Sequence, residues 1–266
     1  MDMDIIDTHA HLDMPEFDSD RDAVIKRAFD GGVNIINTIG INIESCRRAI
    51  ELAEKYQGIV SSVGFHPQES DNIKEEDVHI LRKFAQHPRV VAMGEMGLDY
   101  YRHRSSRENQ LKVLKWQLEL AIEIGKPIII HCREAQEDML NLVRKWIGNT
   151  HISHNGARGV LHCFNGDLEI ADIYIDMGFY VALGAYIGYP SSANLRNTVK
   201  NIPFERLVIE TDCPFLPPQQ YRGQRNEPYY SMITLGVLAE VKRVPQEEMA
   251  RLTTLNARNL FNLPVK

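Results

Sequence analysis

Long apolar runs are missing from this 266-residue chain. None approaches the ~18 residues that a bilayer span needs, so no transmembrane helix is expected. The opening Met-Asp-Met-Asp is acidic and carries neither the basic nor the apolar region of a secretory signal. Cysteine is scarce: there are four, with no Cys-x-x-Cys spacing, which excludes a disulfide framework and a thiolate zinc site. These absences fit a reducing, cytoplasmic setting. Positive charge is also in short supply, with 30 Lys and Arg against 36 Asp and Glu and a net charge of −6. That balance argues against a protein that coats nucleic acid nonspecifically. It leaves room for an enzyme handling a few phosphates in one pocket, because charges beyond ~8 Å are largely screened. No base-reading motif and no low-complexity linker is found.

What the chain does have is a rhythm. Apolar content of 44% supports a sizeable core. Strand-like runs over 5–8, 34–38, 58–64, 90–95, 127–131, 159–162, 180–183 and 207–210 alternate with amphipathic stretches. The first of these opens at Ser19-Asp20 and stops near Gly31-Gly32, and a second runs through Ile50 and Tyr56. Further helices are expected near 75–85, 106–124, 134–147, 168–177, 194–201, 229–242 and 246–260. Eight strand–helix units of this size predict an α/β fold, a (β/α)8 TIM barrel forming a single domain over 1–266. An open doubly wound sheet shows the same alternation but places a Gly-rich phosphate loop after its first strand, and none is present.

In such a barrel, chemistry sits at the C-terminal ends of the strands. His9 and His11 end the first strand and, two residues apart, share a face. Glu95 ends the fourth, His131 the fifth and His162 the sixth, while Asp212 follows the eighth. Any one of these fits a satisfied rim polar group. Six placed by one rule point instead to a centre for two divalent ions bridged by a carboxylate. Ions ~3.5–4 Å apart hold the attacking and leaving oxygens of a displacement and lower the pKa of a bound water from 15.7 toward ~7. Asp212 is positioned to take that water's proton while remaining a ligand. With neutral imidazoles, two ions, two carboxylates and a hydroxide leave about +1, which favours an anionic phosphodiester.

The segments IIDTHAHLD, SVGFHP, MGEMGLDYY, IIIHCREA, GVLHCFNG, IETDCPFLPP and RNEP occur in that order. Together they resemble the TatD family of metal-dependent deoxyribonucleases and hydrolases, within the amidohydrolase superfamily. The resemblance spans the whole chain and implies a TIM barrel. It also implies that His9, His11, Glu95 and Asp212 hold one metal, and Glu95, His131 and His162 the other. Glu95 would be the bridge where many amidohydrolases use a carbamylated lysine. Asn165 departs from the more usual Ser or Thr, which bears on fine specificity. The family further suggests that His66, in Gly-Phe-His-Pro, contacts substrate phosphate; otherwise it is a rim histidine fixed by Pro67.

Around this set, Arg133 is a candidate phosphate clamp by alternation, or else pairs with Glu134 or Asp99. Arg102, Arg104, Arg107, Arg222 and Arg225 either track a nucleic-acid backbone or are simply solvated. Tyr100, Tyr101 and Phe215 either stack on a base or pack the loops. Asp7 and Glu210 precede ligands by two residues, so both should face inward as acceptors for ligand imidazoles, as ion-pair partners, or as ordinary layer residues. Cys132, Cys163 and Cys213 directly follow ligands and by alternation should turn away from the metals, while Cys46 reads as helix core. His79, His87, His103, His151 and His154 read as surface residues.

The leading expectation is therefore a deoxyribonuclease that trims 3′ ends of DNA using Mg²⁺, Mn²⁺ or Zn²⁺, with no membrane or obligate protein partner. One alternative is a metal-dependent hydrolase of a carboxylic ester or amide, such as an aminoacyl-tRNA ester. Another is a metal-binding scaffold with vestigial activity.

Overall fold

The computed structural model describes residues 4–149 and 157–264. Its strands are β1 (Ile5–Ala10), β2 (Val33–Gly40), β3 (Ile59–Val63), β4 (Val90–Asp99), β5 (Ile128–Arg133), β6 (Gly159–Leu161), β7 (Phe179–Leu183) and β8 (Leu207–Ile209). All pair in parallel and in sequence order. The helices are α1 (Arg21–Asp30), α2 (Ile43–Lys55), α3 (Glu75–Ala85), α4 (Arg107–Ile124), α5 (Gln136–Asn149), α6 (Leu168–Asp176), α7 (Ala193–Asn201), α8 (Ser231–Lys242) and α9 (Gln246–Phe261). This is the (β/α)8 barrel that the alternation predicts.

Local chemistry explains where the helices begin. Asn42, Ser106 and Asp167 each accept a backbone N–H of the first turn through their side chains, relieving donors that have no partner within the helix. The apolar helix faces then seal the outside of the ring, where Trp146 and Tyr174 pack on Phe179. Strands covered in this way read as continuous apolar runs, as in Ile128, Ile129 and Ile130.

The ring closes through the residues that follow β8. The amide of Asp212 donates to the His9 carbonyl at 2.8 Å, and that of His11 donates to the Cys213 carbonyl at 2.8 Å. Asp7 bolts this seam, its carboxylate accepting the Thr211 amide at 2.9 Å and the Thr211 hydroxyl at 2.6 Å.

Strand boundaries differ from expectation mainly in the fourth unit. β4 does not stop at Glu95 but runs on to Asp99. Met93 pairs with Ile128 and Met96 with Ile130, so β4 carries one extra residue between them. The bulge needs glycine. At Gly97, φ is +153° and an added Cβ would lie 1.8 Å from the His131 carbonyl oxygen; at Gly94, φ is +130° and it would lie 2.6 Å from the Ile129 carbonyl oxygen. This bulge turns Glu95 into the ring with no Cβ in the way. α8 starts at Ser231, after a 3-10 turn over Pro228–Tyr230.

Candidate metal centre

The six candidate ligands converge at the C-terminal mouth of the barrel. Glu95 is buried at the centre and its two oxygens face different partners. Its Oε2 lies 3.4 Å from His9 Nε2 and 3.8 Å from His11 Nε2. Its Oε1 lies 2.7 Å from His131 Nδ1, 3.6 Å from His162 Nε2 and 3.7 Å from His66 Nε2. Asp212 Oδ1 is 3.4 Å from His11 Nε2, 3.7 Å from His162 Nε2 and 3.8 Å from His9 Nε2. The Nε2 atoms of His9 and His11 are 3.3 Å apart.

These spacings test whether a metal fits. Donors bound at about 2.0–2.2 Å to one four-coordinate ion stand roughly 3.3–3.6 Å from each other. The spacings among His9, His11 and Asp212, and from Glu95 Oε2 to the two imidazoles, run from 3.3 to 3.8 Å, close to that range, too wide for good hydrogen bonds and too close for unrelated polar atoms. Imidazole and carboxylate donors of this kind suit a divalent transition ion. At Glu95 Oε1 only His131 Nδ1 hydrogen-bonds directly, and the compact group there is His66, Glu95 and His131, whereas the expected partner His162 groups with Glu95 and His9 instead.

Hydrogen bonds behind the rings set their tautomers. His11 Nδ1 lies 3.1 Å from the Ile39 carbonyl, which can only accept, so the lone pair of neutral His11 is on Nε2, facing the site. His162 Nδ1 lies 2.9 Å from Glu210 Oε2, and Glu210 Oε1 also accepts the Cys163 amide at 2.7 Å. Asp99 takes the same part for His131, 3.3 Å from its Nε2, while its other oxygen accepts the amides of Tyr101 and Arg102. His66 is the exception. Its Nδ1 accepts the Gln68 amide at 3.1 Å, so the proton of the neutral ring sits on Nε2 and points into the cleft.

Charge follows from the same neighbours. Burial pushes the Glu95 carboxyl up, yet His162, His66, His131 and His9 hold it well below the usual carboxylate range. Asp212 is buried too, and His162, His11 and His9 pull it down. Burial works against a cation at His11 and His162, but Asp212 and Glu95 lift His11 to about 9, and Glu210, Glu95 and Asp212 lift His162 to about 10. At His66 burial wins, bringing it down to about 3 and leaving the ring neutral. Burial also lowers His9, which stacks on His162 at 3.6 Å between centroids.

Several expectations change. Asp7 touches no ligand imidazole; it holds the seam, and burial pushes its carboxyl up to about 8 despite the Thr211 hydrogen bonds. Cys163 does not turn away: a φ of +49° breaks strand alternation. Its Sγ lies within 4.8 Å of ligand atoms of His162 and Asp212. Cys132 is half-buried on the cleft wall, whereas Cys213 and Cys46 are buried. Arg133 pairs with neither Glu134 nor Asp99; its guanidinium lies 3.8 Å over the Tyr101 ring. Arg107 is engaged by Asp138, Arg225 by Asp20 and Glu227, and Arg222 lies over Tyr189. His79 and His87 pair on the surface with Arg82 and Glu54, and His103 is exposed. His151 and His154 lie outside the described residues. Asp99 was not foreseen as a partner of His131; its signal was the four-residue spacing from Glu95, hidden by reading the strand as ended.

Above the cluster opens a cleft of about 1010 Å³, lined by His66, Arg133 and Asn165 among others.

The chain matches the family described as TatD related DNase over residues 6–262. It is 38% identical over 262 residues to YabD of Bacillus subtilis (strain 168), an uncharacterized metal-dependent hydrolase, covering 97% of this chain and 99% of the relative. Its identity to the metal-dependent hydrolase TatD of Mycobacterium tuberculosis is 34%, covering 97% of this chain and 98% of that one. The crystal structure of YjjV, a TatD homolog from Escherichia coli K12, superposes with a TM-score of 0.92 at 31% identity, over 99% of this chain and 100% of that one.

Proposed function

This chain belongs to the TatD-related DNase family of metal-dependent hydrolases, and from that premise we propose that it is a deoxyribonuclease removing nucleotides from 3′ ends. The observation that carries this reading is the division of Glu95, with one oxygen toward His9 and His11 and the other toward His131 and His162. In this reading His9, His11, Glu95 and Asp212 hold one divalent ion, and Glu95, His131 and His162 hold a second. Such ions, Mg²⁺, Mn²⁺ or Zn²⁺, lower the pKa of a bound water and stabilise charge developing on the phosphate.

The chain's own groups do the rest. Asp212, kept ionised by its imidazole neighbours, accepts the proton of the attacking water. Neutral His66 donates its Nε2–H to a phosphate oxygen, a task that a ring with its lone pair on Nε2 cannot perform. Arg133 offers a second, bidentate contact to phosphate. Glu210 and Asp99 keep His162 and His131 turned toward Glu95.

The test is an assay on end-labelled single- and double-stranded DNA, with chelator and then Mg²⁺, Mn²⁺ or Zn²⁺ added back. Metal-restored stepwise shortening, lost in His131→Ala, is expected. Turnover of a carboxylic ester with DNA left intact would replace this reading by ester hydrolysis.

A further inference from the structure

Asn226, in the segment RNEP, does not line the cleft and touches no ligand side chain, yet it is wholly buried. Its carboxamide is spent on the turn that follows β8. Nδ2 donates to the Thr211 carbonyl at 2.8 Å and to the Phe215 carbonyl at 2.6 Å, and reaches the Leu216 carbonyl at 3.3 Å. A primary amide has two N–H bonds, so both are in use. Oδ1 accepts the Glu227 amide at 2.9 Å, and the Asn226 amide itself donates to the Pro214 carbonyl at 3.0 Å. Asn226 therefore grips the chain immediately before Asp212 and again at Pro214, Phe215 and Leu216.

What lies between those grips needs holding. Asp212 has a φ of +56° and Leu216 a φ of +50°, a region that residues with a Cβ enter only at a cost. The Asp212 amide is held by the His9 carbonyl at 2.8 Å; Asn226 supplies the second hold. With the turn so fixed, the Asp212 carboxylate stands 3.4 Å from His11 Nε2 and 3.8 Å from His9 Nε2. The clasp is itself anchored on both flanks. Arg225 reaches both oxygens of Asp20 at 2.7 Å and the Glu16 carbonyl at 2.6 Å, at the approach to α1, and Arg27 on α1 donates to Glu227 Oε2 at 3.0 and 2.8 Å. Charge-assisted pairs of this fork geometry set position as well as contributing energy. In a fully buried place, an aspartate would set its carboxylate against the same carbonyls, and an alanine would leave them bare.

Resting on the reading of Asp212 as ligand and proton acceptor, we propose that Asn226 is the positioning residue for Asp212. Its carboxamide fixes the backbone on either side of that carboxylate, so the ion site of His9, His11, Glu95 and Asp212 is assembled before an ion arrives. The second site draws on the β4–β6 side of the ring and does not depend on it.

Equilibrium dialysis against Mn²⁺ tests this on the wild type, Asn226→Ala, Asp212→Asn and the double variant. Asn226→Ala should weaken one of the two ions by about 10–100-fold, the scale of losing a group that orients a ligand, and leave the other at wild-type affinity. The double variant should bind as Asp212→Asn does, because no carboxylate is left to position. Arg225→Gln keeps the buried carboxamide and loosens only its anchor; it should weaken one ion in the same way but less. Loss spread over both ions, or losses that add in the double variant, would assign Asn226 to the general stability of the loop and overturn the inference with the two-ion reading intact. So would unchanged binding in Asn226→Ala, or in Arg225→Gln where Asn226→Ala does not fold. A wild type that binds fewer than two ions would defeat the two-ion reading and this inference with it.

Discussion

His66 stands apart from the other imidazoles of the cleft in the direction of its proton. In their neutral forms His11 and His162 hold their Nδ1 protons against acceptors and turn Nε2 lone pairs inward, whereas neutral His66 turns an N–H inward. The two kinds of ring should therefore fail differently. His66→Ala is expected to lower kcat about 10²–10³-fold, as loss of a donor to developing charge does, with metal content unchanged by elemental analysis. Glu210→Gln should do the reverse at first, weakening metal affinity by about 10–100-fold in a competition titration with a chromogenic chelator. If Glu210→Gln leaves affinity as it was, the Glu210–His162 bond has no part in metal binding. At this scale the sequence shows the donors but not their tautomers. Which nitrogen of His66 carries the proton depends on the amide of Gln68, and that turn becomes visible only once Pro67 and its neighbours are folded. Cys163 was hidden in the same way, since strand alternation does not foresee a left-handed residue.

Among the elements, most of the barrel was legible because the apolar period changes cleanly between strand and helix. The helix Glu75–Ala85 has the expected limits, its first turn acidic and its amide at Lys74 donating to Asp77. β4 was not legible beyond Glu95, because glycines at 94 and 97 read as the end of a strand when they are the requirement of a bulge. The bulge carries the central carboxylate, so it should be intolerant of a side chain. Gly97→Ala, which drives Cβ against the His131 carbonyl, should lower stability by about 2–3 kcal/mol in urea unfolding and disturb metal binding as well. An unchanged midpoint would mean that the strand pair adjusts freely. The seam between β1 and the residues after β8 was likewise unseen. Of the roles open to Asp7, imidazole acceptor, ion-pair partner or ordinary layer residue, it takes the last, its oxygens accepting from Thr211 and the His9 amide.

For the molecule as a whole, the arrangement links metal to protons. Without an ion, Asp212 and Glu95 lift His11 to about 9 and Glu210 lifts His162 to about 10, against the effect of burial, so both rings are cationic near neutrality. A raised imidazole pKa means that an incoming ion must displace a proton. Affinity should therefore rise with pH up to about 10, where the second of the two rings has lost its proton, and fall as pH drops. Calorimetry in buffers of different ionisation enthalpy should register the release of about two protons per chain near pH 7.5. Affinity that ignores pH would contradict this.

The central claim is that one buried carboxylate joins two ion sites, and counting ions tests it most directly. Equilibrium dialysis against Mn²⁺ or Zn²⁺ should give two ions per chain for the wild type, with both weakened together in Glu95→Gln. A wild type that binds no ion or only one, or a Glu95→Gln variant that keeps both at full affinity, would contradict it.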